Sequence, residues 1–545
     1  MPKQFRAWAG LGLALLLAGA LQAQPLVQPG DHVVFYGDSI TEQRMYTRYV
    51  QQYLLTRYPD YELTFHNAGW SGDTAGGAVG RLERDVLTLQ PDLVTLFFGM
   101  NDGGYRALDE PTVTGYRHNM DRLVGALVDA GVRVVVFAPP CVDPDRRAPL
   151  AEVDYNAMLR ALGVAGREIA TKYRVPFVDV FTPMLGAQRA LKAADADFTF
   201  IPDAVHPNAA GQLVMATIML QGLGAEPPAP LGSYDVTTNQ GTGLRLTDGQ
   251  PRRYEFALTQ PLALPFWIEA GSAGAAKQIG ADTQMGQRLT LTGLEAGTWQ
   301  IEVDGNPATT ATAAELAAGV SILGGDWSPR AKQVHDLIAD KENNYYHAWR
   351  RIRLPFEAQP AMPAIYDGLF AADQGYHDLL WDLTQTTSQP TLTVMRAPSS
   401  ENLALGRPYE VSDPNDYNWG IGGLTDGSWN PGPNGSFATG ASADLPKHAT
   451  IELAEAAPVS MVVVGVPNFG STRTVRVALS LDGQTFTEVG SHEFALGPTQ
   501  RYTFTFAPQE ARYVRLIWPD RYPDERGYSP NFAFATECTV HTDAD

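Results

Sequence analysis

Between residues 30 and 224, short apolar runs alternate with amphipathic stretches, and this alternation limits the fold more than any other feature of the chain. The runs are His32–Tyr36, Glu62–His66, Asp92–Phe98, Val132–Ala138 and Val175–Phe181. Continuous apolar runs of this length predict strands buried on both faces. Helical periodicity is read near 42–56, 77–89, 112–130, 154–173 and 208–222. Repeated β-then-α units predict a parallel sheet with helices on both faces. Ligands of such sheets bind at the carboxyl ends of the strands, so functional residues are expected just after each run.

Each of those positions carries something specific. Gly37-Asp38-Ser39-Ile40 follows the first run, and Asn67-Ala68-Gly69-Trp70-Ser71-Gly72-Asp73-Thr74 follows the second. Gly99-Met100-Asn101-Asp102 follows the third, and Asp203-Ala204-Val205-His206-Pro207 precedes the last helix. A serine hydroxyl is a weak nucleophile and needs a base within hydrogen-bond reach. Ser39 sits where a strand turns into a helix, His206 can be its base, and Asp203 can hold the imidazole tautomer from the same loop. Pro207 suits the first helical position. An acyl-transfer intermediate needs donors for its oxyanion. The Ser39 N–H, the Gly72 N–H and the Asn101 amide are the candidates. Asp38 is read as stabilising the turn around Ser39. Each motif alone is an ordinary turn or cap; their joint order at strand ends points to nucleophilic catalysis.

On these motifs, residues 30–224 resemble the SGNH hydrolases, also called the GDSL lipase/esterase family. The family's four characteristic residues match Ser39 in GDSI, Gly72 in NAGWSGDT, Asn101 in GMND and His206 in DAVHP, and Asp203 matches the triad acid. The resemblance implies a flavodoxin-like three-layer α/β/α fold and Ser-His-Asp ester hydrolysis with no cofactor for catalysis. The family's substrates run from acetylated sugars to lipids and thioesters, so the motifs fix the reaction class and not the substrate.

Past the AEPPAP break at 225–230, the chain reads as strands at Arg253–Leu258, Pro265–Glu269, Arg288–Thr292 and Thr298–Val303. Helices are expected at 329–353 and 375–384, and residues 385–400 read as a linker. His347, Trp349, Arg350 and Arg351 end the first of these helices. They reach the active site if it docks on the hydrolase domain; packing and a favourable charge at the helix C-terminus are the preferred reading. Residues 401–545 are β-rich, which predicts an antiparallel sandwich. This region resembles the discoidin-like domains of coagulation factors, a fold shared by many carbohydrate-binding modules. The matching pieces are Asn402-Leu403-Ala404, Leu424-Thr425-Asp426-Gly427, Ser480-Leu481-Asp482-Gly483 and Ala511-Arg512-Tyr513-Val514-Arg515-Leu516. The resemblance implies a structural calcium with Asp426 as a contributor. Trp419, Trp429, Tyr528 and Phe532 lie in turn-rich stretches as sugar-stacking candidates, or as plugs of the sandwich core.

The expected organisation is a signal peptide at 1–23, a hydrolase domain at 24–224, a β unit with helices at 225–395 and a discoidin-like sandwich at 396–545. Lys3 and Arg6, an apolar stretch at 8–21 and small residues near Ala23 carry the signal-peptide reading, hence a secreted or periplasmic location with no membrane span after cleavage. With 60 acidic against 40 basic side chains, a net charge of −20 disfavours nucleic acid and anionic membranes and fits polar, neutral substrates better. With only two cysteines, Cys141 and Cys538, a disulfide scaffold is excluded; they are read as unpaired thiols in different domains, with an interdomain disulfide as the alternative. The chain therefore reads as a secreted esterase acting on acyl, above all acetyl, esters of a polysaccharide or glycan. A lipase or thioesterase of the same family, and a glycan-binding surface protein with an inactive hydrolase domain, are the rivals.

Overall fold

The computed structural model describes residues 26–544 apart from 251, 270–271, 273–276, 278–279, 357, 386, 418–419, 421 and 525–526. The expected signal peptide and Trp419 lie outside the described residues. The chain divides into two compact units. One comprises the chain up to Glu226 together with Glu342–Leu369; the other comprises Pro227–Lys341 and the chain from Phe370 onward.

The first unit is built on a parallel sheet of β1 (His32–Gly37), β2 (Thr64–Asn67), β3 (Leu93–Phe97), β4 (Arg133–Phe137) and β5 (Phe177–Val178), in the order β2-β1-β3-β4-β5. Every residue of β3 is buried, as a strand covered on both faces requires. The helices are α1 (Ser39–Glu42), α2 (Met45–Arg57), α3 (Ala75–Asp85), α4 (Glu110–Asp129), α5 (Ala148–Glu152), α6 (Tyr155–Tyr173), α7 (Phe181–Ala194) and α8 (Ala209–Gly222). The α/β/α expectation holds. The run at 175–181 is the exception: its strand stops at Val178, and Asp179 accepts from Thr182 N at 3.0 Å to start α7. The order reverses between β1 and β3, which places the switch point of the sheet beside the turn that carries Ser39.

Residues 342–369 complete this unit from far along the chain. Glu342, buried, accepts from Thr47 Oγ1 at 2.9 Å and from Gln51 Nε2. Trp349 is 2% exposed and donates its indole N–H to Asp85 at 3.0 Å. A buried indole needs such an acceptor.

In the second unit a five-stranded sheet holds strand Thr391–Arg396 between Thr298–Val303 and Arg253–Leu258. The stretch read as a linker therefore contains a sheet strand. Its alternating Leu392 and Val394 side chains are buried, a signal hidden by the Ser, Thr and Pro around them. Conversely, the expected strand at 265–269 makes only an isolated bridge at Trp267. The C-terminal part is an antiparallel β-sandwich. Its strands Lys447–Val466 and Gln500–Trp518 pair along most of their length, with register shifts after Glu452 and Val459. Those irregularities make one strand look like two in sequence. The core between its layers gathers Ile451, Val462, Val464, Val477, Leu516 and Trp518.

Candidate active site

The turn after β1 brings the first candidate into place. Asp38 is the N-cap of α1 and accepts from Ile40 N at 3.0 Å, so Ser39 is the first residue of that helix. Its hydroxyl is half-buried and lies 2.9 Å from His206 Nε2. His206 Nδ1 lies 2.7 Å from Asp203 Oδ2. The loop before α8 folds tightly to achieve this: Ala204 sits at φ +76°, and Asp203 Oδ1 accepts from the N–H groups of Val205 (2.9 Å) and His206 (2.6 Å). Burial draws the Asp203 carboxyl up, but the donors from His206 and Val205 outweigh it and hold it below the usual carboxylate range. An anionic Asp203 on Nδ1 fixes the tautomer that presents an unprotonated Nε2 to the serine.

The loops after β2 and β3 supply the donors. Trp70 N donates to Gly37 O at 3.0 Å, which seats the second loop beside the serine turn. Asp73 N closes a turn onto Trp70 O at 3.1 Å, and within it Gly72 has φ +75°. A Cβ at Gly72 would meet nothing within 4 Å, so its side of the loop is open for a ligand. Asn101 Nδ2 donates one hydrogen to Asp73 O at 2.9 Å, leaving the other for an oxyanion, and Asn101 Oδ1 accepts from Tyr105 at 2.9 Å. Arg81 ties the loops together: Nε meets Asp73 at 2.7 Å, and the two terminal nitrogens donate to Ala68 O (2.8 Å) and Gly37 O (3.1 Å).

Sequence reading missed several parts of this network. Tyr105 sits one helical turn after Asn101 in a run that reads only as turn. Glu42, on the serine helix, accepts from Ser71 N, next to Gly72, and from Tyr346 at 3.2 Å. No local pattern could have joined position 346 to position 42. Asp102 accepts from Ala75 N at 2.9 Å with one carboxyl oxygen; the other is buried with no hydrogen-bond partner, and burial pushes the group up to about 7. Asp38 is likewise pushed up to about 7, burial again the largest cause. Burial pushes the Cys141 thiol up to about 12, which leaves it protonated and inert at neutral pH.

The sandwich candidates fare differently. Phe532 is 6% exposed and packs with Ala438 and Phe534, so it serves a small core and not a ligand. Tyr528 stands against Phe469 and Phe534, both at 5.3 Å between ring centroids. Trp429 is covered on one face by the Arg501 guanidinium at 4.0 Å and packs on Gly465. Tyr417, at 47% exposed, is the aromatic that sequence reading passed over. Asp426 accepts from Gly423 N and Ser428 N; beside it lies Glu537, buried, accepting from Gly427 N at 3.1 Å through one oxygen only. Burial, then the Asp426 carboxylate, push Glu537 up to about 8.

Comparison with known proteins agrees with this division. Residues 35–214 match the model of the GDSL-like lipase/acylhydrolase family, and residues 408–530 match the F5/8 type C domain. The acetylxylan esterase of Geobacillus stearothermophilus is 24% identical over 219 residues, covering 36% of this chain and 95% of the relative. A gut microbial diltiazem-metabolizing enzyme superposes with a TM-score of 0.53 at 19% identity, over 68% of this chain and 98% of its own. A crystal structure of the Geobacillus esterase covers 37% of this chain and 97% of its own, at 23% identity and a TM-score of 0.30. An N-terminal GDSL/SGNH-like esterase domain and a C-terminal F5/8 type C domain are both present. The first supports carboxylic ester hydrolase activity. Among the described residues, no helix is long and apolar enough to cross a membrane.

Proposed function

We propose that this protein is an exported serine esterase that removes acyl groups, chiefly acetyl, from a polysaccharide. The single observation that carries the chemistry is the hydrogen-bonded chain Ser39–His206–Asp203, at 2.9 and 2.7 Å. In this reading His206 Nε2 takes the hydroxyl proton as Ser39 Oγ attacks the ester carbonyl carbon. Charge collects on the carbonyl oxygen, where the N–H groups of Ser39 and Gly72 and the second Asn101 amide hydrogen receive it. The imidazolium, held by Asp203, then gives its proton to the sugar oxygen as the C–O bond breaks, so that the sugar leaves as the alcohol. Water, deprotonated by His206, attacks the acyl-enzyme, and the released carboxylic acid leaves Ser39 with its proton restored. Fixed donors of this kind are worth about 10²–10³ in turnover each.

The substrate rests on two further supports: the acetylxylan esterase relative, and the F5/8 type C domain, a fold that resembles carbohydrate-binding modules. A domain that holds a polymer raises the local concentration of its esters at the catalytic domain. Export rests on the charged and apolar pattern of residues 1–23. A structural calcium fits the sandwich loop. Asp426 and Glu537 would hold it, and the pairing of these two carboxyls, with Glu537 pushed up to about 8 by burial and by Asp426, is the observation in its favour.

Acetate release from acetylated polysaccharides, beside 4-nitrophenyl esters of rising chain length, tests the reading with Ser39→Ala as control. Turnover of short esters and of one polymer, lost in the variant, is expected. A preference for long acyl chains would move the assignment to a lipase, and unchanged activity in Ser39→Ala would refute the mechanism.

A further inference from the structure

We infer that Tyr105 is a positioning residue of the active site: its hydroxyl holds the Asn101 side chain in the orientation that aims an amide hydrogen at the oxyanion. This rests on the esterase reading and deepens it by a residue that acts through Asn101.

The Asn101 amide can turn about its last side-chain bond, and only one of its two flipped arrangements makes it an oxyanion donor. Nδ2 carries two hydrogens and Oδ1 none. One hydrogen goes to the Asp73 carbonyl at 2.9 Å. Oδ1, at the other end of the amide, accepts from the Tyr105 hydroxyl at 2.9 Å. A flipped amide would set Oδ1 against the Asp73 carbonyl, acceptor against acceptor, and would present an oxygen where the oxyanion needs a hydrogen. The Asp73 contact resists that flip but leaves the amide free to rock about it. A second bond at the opposite end removes that freedom. A donor on Oδ1 also polarises the amide, which makes its N–H groups better donors.

The loop is built around this contact. Tyr105 sits at φ +55°, a left-handed conformation that strains a tyrosine and persists where the surroundings over-determine it. Its ring stacks on Tyr155 at 5.1 Å between centroids. Tyr155, the fully buried first residue of α6, donates its own hydroxyl to the carbonyl of Met100, next to Asn101, at 2.5 Å. A Cβ at Gly103 would come within 2.5 Å of that same hydroxyl oxygen, so glycine there lets the loop close on Tyr155. Gly104 N then turns the chain back onto Asn101 O at 3.0 Å. Phenylalanine at 105 would stack on Tyr155 equally well. Packing therefore accounts for the ring but not for the hydroxyl, whose hydrogen bond goes to Asn101. Burial, followed by the charge of Asp38, pushes the phenol up from its ordinary value, so at neutral pH it keeps the proton it donates.

Steady-state kinetics of the full-length protein on 4-nitrophenyl acetate test this. Tyr105→Phe keeps the ring and loses the hydroxyl. Its kcat should fall about tenfold, part of the roughly 10²–10³ that an oxyanion donor is worth, with KM nearly unchanged. In an Asn101→Ala background the same substitution should cost nothing further, because residues that act through one hydrogen bond are not additive. 4-Aminophenylalanine in place of Tyr105 restores a donor at the same reach and should recover most of the loss. That recovery reads the donated hydrogen bond independently of how stable the Phe variant is, and melting temperatures verify the fold of each protein. A tyrosine that only packs the loop would move kcat and KM alike and give the same loss in both backgrounds. An unchanged kcat in Tyr105→Phe, an equal loss without Asn101, or no recovery by the amine overturns the inference. An inactive wild type would instead overturn the esterase reading on which it stands.

Discussion

The strand-end loops of the hydrolase unit and the loops of the C-terminal sandwich both present turn-rich sequence with candidate ligand residues, yet they use them in opposite ways. In the hydrolase unit the candidate side chains find one another: Ser39 meets His206, His206 meets Asp203, and Asn101 donates to the loop that carries Gly72. In the sandwich the described aromatic candidates pack on protein: Phe532 is buried in a small core with Tyr528 half-buried against it, and Trp429, half-buried, lies between Arg501 and Gly465. A triad residue has few roles besides the one its partners define. A ring fills a core as readily as it stacks on a sugar, so its sequence context leaves both readings open.

The largest expected effect sharpens the first half of that contrast. Ser39→Ala should lower kcat on short esters by about 10⁴-fold or more, because the triad acts as a unit. Asn101→Ala should cost about 10²–10³ in kcat with a smaller change in KM, since its free amide hydrogen serves only the developing oxyanion. An equal rise in KM would make Asn101 a substrate-binding residue instead. For the sandwich, Phe532→Ala should lower unfolding free energy by about 3–5 kcal/mol, the usual cost of emptying a buried ring site, as read by denaturant titration of that transition. A stable variant with selectively weakened glycan binding would return Phe532 to the ligand surface and break the comparison.

The smallest effect concerns the acids beneath the site. Asp102 has a folded-state value of about 7, above its ordinary value near 4. Its protonated form therefore favours the fold: that stability is complete below about 4 and is lost as pH rises through about 7. Asp102→Asn keeps the acceptor for Ala75 N without the buried charge. Its melting temperature should exceed that of the wild type by about 2–4 °C at pH 8.5 and match it at pH 4. A gap that stays constant with pH would mean that the carboxyl is not what titrates.

Much of the hydrolase unit was legible because its strands are continuous apolar runs and its motifs fall where such strands end. What stayed hidden depends on distance along the chain. Glu342, Tyr346, Trp349 and Arg350 reach Thr47, Glu42, Asp85 and Trp70 across more than two hundred residues, and no periodicity encodes such a meeting. Strand Thr391–Arg396 was obscured by the turn-like composition beside it. Glu537 was hidden for the same reason as Tyr346: its neighbour Asp426 lies on another segment of the sandwich. Helix 329–353, by contrast, showed its apolar spacing plainly, although its final turns, His347–Arg353, wind as a π-helix.

The proposed chemistry depends on Ser39 acting as a nucleophile activated by His206. The most direct measurement is labelling of the full-length protein with a fluorophosphonate, followed by intact mass and peptide mapping. One covalent adduct is expected, on Ser39, formed far more slowly in His206→Ala and absent in Ser39→Ala. A folded protein that takes up no label, or labels Ser39 at an unchanged rate without His206, would contradict it.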